Sequence, residues 1–72
     1  MSFSRIARNA GGIPCIRNTK IPVTAIVEMA AKKMSVQGIR IKYPQLSEED
    51  IYEALAFAAD TLLRSHEEDD EN

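Results

Sequence analysis

Leu46-Ser47-Glu48-Glu49-Asp50-Ile51 leaves the backbone one course at that point, which is to start a helix. Ser47 can accept hydrogen bonds from the amides of the first turn. Three acids follow it where the helix dipole favours negative charge, and Leu46 and Ile51 stand at the two positions of a hydrophobic staple. From there Ile51, Leu55, Ala58 and Leu62 recur at helical spacing as one apolar stripe, and Tyr52, Ala56, Ala59 and Leu63 as a second. A helix on the surface of a small domain needs one such stripe. The second, with alanines at 54, 56, 58 and 59 that allow close approach of another helix, marks Tyr52, Ala56, Ala59, Leu62 and Leu63 as a partner surface. The competing reading is a central helix covered on two sides by its own domain.

The rest of the chain has little with which to cover that helix. A chain of 72 residues buries only about 60% of its unfolded surface, and its core supplies a few kcal/mol net. Cys15 and His66 are the single cysteine and the single histidine. Neither an intrachain disulfide nor a structural zinc site can be built from them, and Cys15 reads as a small apolar filler. Association, as a homodimer or a hetero-oligomer, is the remaining source of stability.

Upstream, Arg5-Ile6-Ala7-Arg8 reads as a short edge strand and Asn9-Ala10-Gly11-Gly12 as a loop. Pro14-Cys15-Ile16-Arg17 and Lys20-Ile21-Pro22-Val23 flank Asn18-Thr19. This predicts a tight hairpin with Ile16 opposite Ile21 and Arg17 opposite Lys20, since asparagine tolerates a positive φ. Thr24 is the expected cap of a first helix reaching Met34, with Val23, Ile26, Val27, Ala30 and Met34 inward and Lys32 and Lys33 in its last turn. Ser35 caps a short second helix with Val36, Ile39 and Tyr43 inward, weakened by Gly38 and ended by Pro44. The fold class expected is mainly α with a short N-terminal β-hairpin: one three-helix domain over residues 1–66. Residues 67–72 form an acidic tail in which Glu67, Glu68, Asp69, Asp70 and Glu71 repel one another, expected to be disordered.

The net charge of −2 conceals a division. Through Lys42 the eight bases Arg5, Arg8, Arg17, Lys20, Lys32, Lys33, Arg40 and Lys42 face Glu28 alone, a formal +7; beyond it ten acids face Arg64, a formal −9. Such asymmetry predicts two different partners, or docking of one half on another copy. The eight bases are the candidate DNA contacts. The acidic residues 67–71, with the exposed side of the last helix, are the candidate protein contacts. The plainer reading is two solvated faces and a solubilising tail.

Chemistry is harder to find. The carboxylates cluster at a helix start and in the tail, where no dry pocket forms, and no nucleophile has a base beside it in sequence. Gly11-Gly12 has no continuation as a phosphate loop. A binding protein is expected rather than an enzyme, with no cofactor and no metal. No stretch approaches the roughly 20 apolar residues of a membrane span, and a cytoplasmic location is the default.

The residues Gly-Gly-Ile-Pro, Thr-Lys-Ile-Pro-Val and Tyr-Pro-Gln-Leu-Ser-Glu-Glu-Asp-Ile, in that order and spacing, resemble domain-of-unknown-function family 433. The likeness runs from about Ile6 to Leu63. It is most specific in the second half, where Tyr43, Pro44, Leu46, Ser47, Glu49, Asp50, Ile51, Ala54 and Leu55 stand in register. Asn18 replaces a turn glycine, Lys20 an arginine, and Gln37 and Gly38 a pair of glutamates. The resemblance implies a helix-turn-helix domain with a β arm, homeodomain-like or winged-helix-like. It also implies an antitoxin-like role: binding and silencing a PIN-like ribonuclease toxin and binding the operator DNA of the shared operon. Against the usual docking of such a domain, the last helix would present Glu48, Glu49, Asp50 and Glu53 to phosphates. The basic half is therefore the expected DNA face. Two other readings stay open, a stand-alone DNA-binding regulator and an interaction module that never meets DNA.

Overall fold

The computed structural model describes residues 3–68, with side-chain environments for residues 3–64. Two strands, β1 (Ile6–Arg8) and β2 (Pro14–Ile16), precede three helices, α1 (Val23–Ala31), α2 (Val36–Lys42) and α3 (Glu48–Glu68). The architecture is mainly α with an N-terminal antiparallel ribbon, as the sequence predicts. β1 pairs with β2 in the register Ile6 to Ile16, Ala7 to Cys15 and Arg8 to Pro14.

The ladder joins one of the two segments that the hairpin reading named, at Pro14–Ile16, to the edge strand read at Arg5–Arg8. The Lys20–Val23 arm contributes one isolated bridge, Cys15 to Pro22, and one bond, from the Ile16 amide to the Ile21 carbonyl at 2.9 Å. That bridge keeps the expected register, but Pro22 has no amide to extend it. The ladder forms instead with β1, through a loop organised by Asn9. Its Oδ1 accepts from the amides of Gly11 (2.8 Å) and Ile13 (3.1 Å), and Gly12 takes a φ of 82° that suits glycine. Asn18 does adopt positive φ, at 66°. Thr19 avoids it and closes the turn with its hydroxyl, which donates to Ile16 O at 2.7 Å and accepts from Ile21 N at 3.0 Å.

α1 is shorter than its apolar spacing suggests. Pro22, with φ of −75° and ψ of 150°, takes the cap position without a side-chain bond, so Thr24 lies inside the helix and exposed. At the other end the Lys33 amide donates to Ala30 O (2.9 Å) and the Met34 amide to Met29 O (3.1 Å), while Lys33 has a φ of 69°. This pair of bonds is the Schellman termination. It places Lys32 at the cap and Lys33 beyond the helix instead of in its last turn, and leaves Met34 exposed; Met29 is buried in its place. A lysine in the left-handed region is strained where glycine is not. Lys33→Gly should therefore stabilise the domain by about 1 kcal/mol, seen as a rise in Tm of roughly 4–8 °C. An unchanged or lowered Tm would show that Lys33 makes a compensating contact.

α2 and α3 start as the sequence predicts. Ser35 Oγ accepts from Gly38 N at 3.0 Å. Ser47 and Asp50 form a reciprocal capping box, Asp50 N to Ser47 Oγ at 3.1 Å and Ser47 N to Asp50 Oδ2 at 2.9 Å. Tyr43, with φ of −127° and ψ of 79°, is held out of the helical region before Pro44, and α2 ends there. The core lies where α1 crosses α3, closed by α2 and the ribbon: Ile16, Val23, Ile26, Ile39, Leu46, Ile51 and Ala54 are almost fully enclosed. Ala54, outside both predicted stripes' main positions, is fully buried because its small side chain lets the neighbouring elements approach.

Candidate interaction surfaces

The acidic start of α3 is bound by the ribbon. The Arg5 amide donates to Glu53 Oε2 at 2.7 Å, and its guanidinium lies 3.1 Å from Asp50 Oδ1 and 3.7 Å from Glu53 Oε1. Gln37 Nε2 donates to Glu48 Oε2 at 2.7 Å. Three of the four carboxylates at this end are thus engaged within the domain, and Arg5 serves as the counter-ion of Asp50 and Glu53. Partial burial works against ionisation of Asp50, but the Ser47 amide, the Arg5 guanidinium and the Ser47 hydroxyl outweigh it and hold the carboxyl below its ordinary 3.8. A depressed carboxylate stabilises the fold above its unfolded value, and the contribution is lost as pH falls through the folded one. Asp50→Asn should therefore cost about 1 kcal/mol at neutral pH and progressively less as pH falls through the lowered titration of Asp50, as measured by urea midpoints at neutral and at strongly acid pH. Equal losses at both would assign the effect to hydrogen bonding rather than charge.

The eight bases do not converge. Arg8 donates to Gly12 O (2.8 Å), Arg17 Nε to Ser4 O (2.7 Å) and Arg40 Nε to Leu46 O (3.2 Å), so each is oriented by backbone. Lys20, Lys32, Lys33 and Lys42 are exposed, and among the described residues none forms an ion pair. Arg5 and Arg17 share a groove of about 550 Å³ with Ser4, Asn18, Gln45 and Asp50. Lys20 faces a separate recess of about 310 Å³ beside Asn9, Gly11 and Cys15. Lys32 and Lys33 follow α1, and Lys42 ends α2.

The second-stripe side of α3 is apolar and open. Its 21 residues span about 31 Å, more than twice the length of the nine-residue α1 on which it packs. Burial stops near Ala58. Leu62, read from its spacing as the end of the core stripe, is 68% exposed, and Leu63 is 62% exposed. Tyr52, Ala56 and Ala59 are also exposed, so the second stripe has no cover among the described residues. Beside Leu62 opens a groove of about 500 Å³ walled by Pro14, Val23, Val27, Phe57 and Ala58. Phe57 belonged to neither predicted stripe. Its ring meets that of Phe3 edge-on, centroids 5.4 Å apart, and fixes the N-terminus on α3. Period alone gave no signal for it, because its partner is 54 residues away.

Glu67 and Glu68 continue α3 in backbone, and Asp69, Asp70 and Glu71 lie outside the described residues. Among the described residues no three His, Cys, Asp or Glu side chains are grouped to hold a metal ion, and no helix is long and apolar enough to cross a membrane. Cys15 is buried in the ribbon, its thiol directed at Ile13 O at 3.5 Å.

No curated protein and no solved structure matches this chain. One family model does, described as a protein of unknown function (DUF433), over residues 5–58. That match takes in both strands, α1, α2 and the buried half of α3, and the chain therefore belongs to the DUF433 family.

Proposed function

We propose that this protein is an antitoxin-like regulator, which binds and neutralises a PIN-like ribonuclease toxin and contacts operator DNA through its basic half. The observation that carries the reading is the uncovered end of α3, where Leu62 and Leu63 project beside an apolar groove. Exposed large apolar side chains next to a groove mark a protein-binding surface. A toxin whose groove receives RNA is electropositive, which suits the acids Glu67 to Glu71 that follow. The toxin itself comes from the family resemblance.

Association with a second copy belongs to the same proposal, since Tyr52, Ala56, Ala59 and Leu63 are open to either occupant. DNA contact is supported by Lys20, Lys32, Lys33 and Lys42, which are exposed and form no ion pair among the described residues. The deciding experiment is co-expression with the protein encoded beside this one. Stable co-purification with loss of its ribonuclease activity supports the reading. Retention of full nuclease activity in the presence of excess protein would refute it, leaving a stand-alone DNA-binding regulator or an interaction module as the alternatives.

A further inference from the structure

The groove between the Arg17–Asn18 turn and the start of α3 has a chemistry unlike the apolar groove beside Leu62. We infer that it is a binding site for a phosphate group, either a phosphodiester of a nucleic-acid backbone or the phosphate of a small molecule. Its volume of about 550 Å³ lies in the range of ligand sites. Three charged side chains line it, Arg5, Arg17 and Asp50, for a net +1.

The two arginines differ in what they have left to give. Arg5 is matched by Asp50 and by Glu53, which does not line the groove. Arg17 has no carboxylate within 4 Å among the described residues. Its Nε is fixed on Ser4 O at 2.7 Å, which leaves the paired terminal nitrogens of the guanidinium for a ligand. That fork fits two oxygens of one anion.

Asp50 is a weaker obstacle to an anion than its charge implies. One oxygen is taken by Arg5 and the other by the Ser47 amide. The side-chain amides of Asn18 and Gln45 line the same groove and can each present N–H donors. Several donors around one cation suit a tetrahedral oxyanion with oxygens on every side better than a planar carboxylate. The frame is also rigid: the Arg17 amide donates to Arg5 O at 2.7 Å, and the Thr19 hydroxyl locks the turn. A ligand there loses little of its binding energy to ordering the protein. This inference is independent of toxin binding.

The test is NMR titration of the full chain with inorganic phosphate, and separately with a short mixed-sequence DNA duplex, at matched chloride. Saturable shifts at the Arg17 Nε–H and at the Asn18 and Thr19 amides are expected. Arg17→Gln should weaken binding about tenfold, and Arg17→Lys should recover only part of it, with the melting temperature confirming that both variants fold. Duplex that displaces phosphate from these resonances identifies a backbone phosphodiester; phosphate binding without a duplex effect identifies a small phosphorylated ligand. Absence of saturable shifts with both probes, or binding unaltered in Arg17→Gln, overturns the assignment. So does acetate competing as well as phosphate, which would make the groove a carboxylate site for a peptide terminus.

Discussion

Ile51→Ala should abolish the cooperative thermal transition of this domain. Ile51 is fully enclosed in the core and forms the staple with Leu46 across the start of α3. Removing its branched side chain costs about 2–5 kcal/mol when the cavity does not collapse. A core of this size supplies only about 3–5 kcal/mol in total, so the loss is comparable with the whole stability. Circular dichroism melts would show it directly. Ile41→Ala is the matched control. Ile41 is 81% exposed, and its loss should change stability by no more than about 0.5 kcal/mol. An Ile51→Ala protein melting within a few degrees of the parent would mean that a bound partner, and not this core, holds the fold.

The second large effect belongs to binding and should leave the fold alone. Leu62→Ala with Leu63→Ala should weaken the complex with the proposed toxin by about 10- to 100-fold, as expected for a pair of apolar anchors at an interface centre. The loss should appear mainly as faster dissociation. Removing everything after Arg64 should act on the other rate, because long-range attraction governs encounter: association should slow and lose part of its salt dependence. Surface plasmon resonance at two salt concentrations separates the two effects. If the leucine variant dissociates as slowly as the parent, the toxin docks elsewhere on the molecule. The basic N-terminal half would then be the next surface to vary.

The second expectation rests on the unequal length of α3 and its neighbours. Spacing recognises that Ile51, Leu55, Ala58 and Leu62 share a face, but not where the neighbouring element ends. Leu62 reaches the first turns of α1, at Val23 and Val27, only across an open groove and is left 68% exposed, while at the far end of α1 a Schellman turn closes the helix after nine residues. The same closure moved Lys32 and Lys33 out of the helix. Arg5 is a parallel case. Its charge is visible in the sequence, whereas its ion pairs with Asp50 and Glu53 span 45 residues or more.

What the sequence by itself determined is whatever local chemistry decides. Ser47 with Asp50, Ser35 before α2, Pro44 after it and Asn18 in its turn each act on backbone groups a few residues away. The family likeness is of the same kind, because it is carried by those short motifs. Tertiary structure alone decided which segment forms a ladder with β2: β1 takes one edge, while on the other the Lys20–Val23 arm makes a single bridge, because Pro22 has no amide to extend it. It also decided which arginine was consumed and which was left facing a groove. Such choices depend on which segments distant in sequence meet at a hydrogen-bonding edge or around a counter-ion, and that is fixed only when the whole chain has packed.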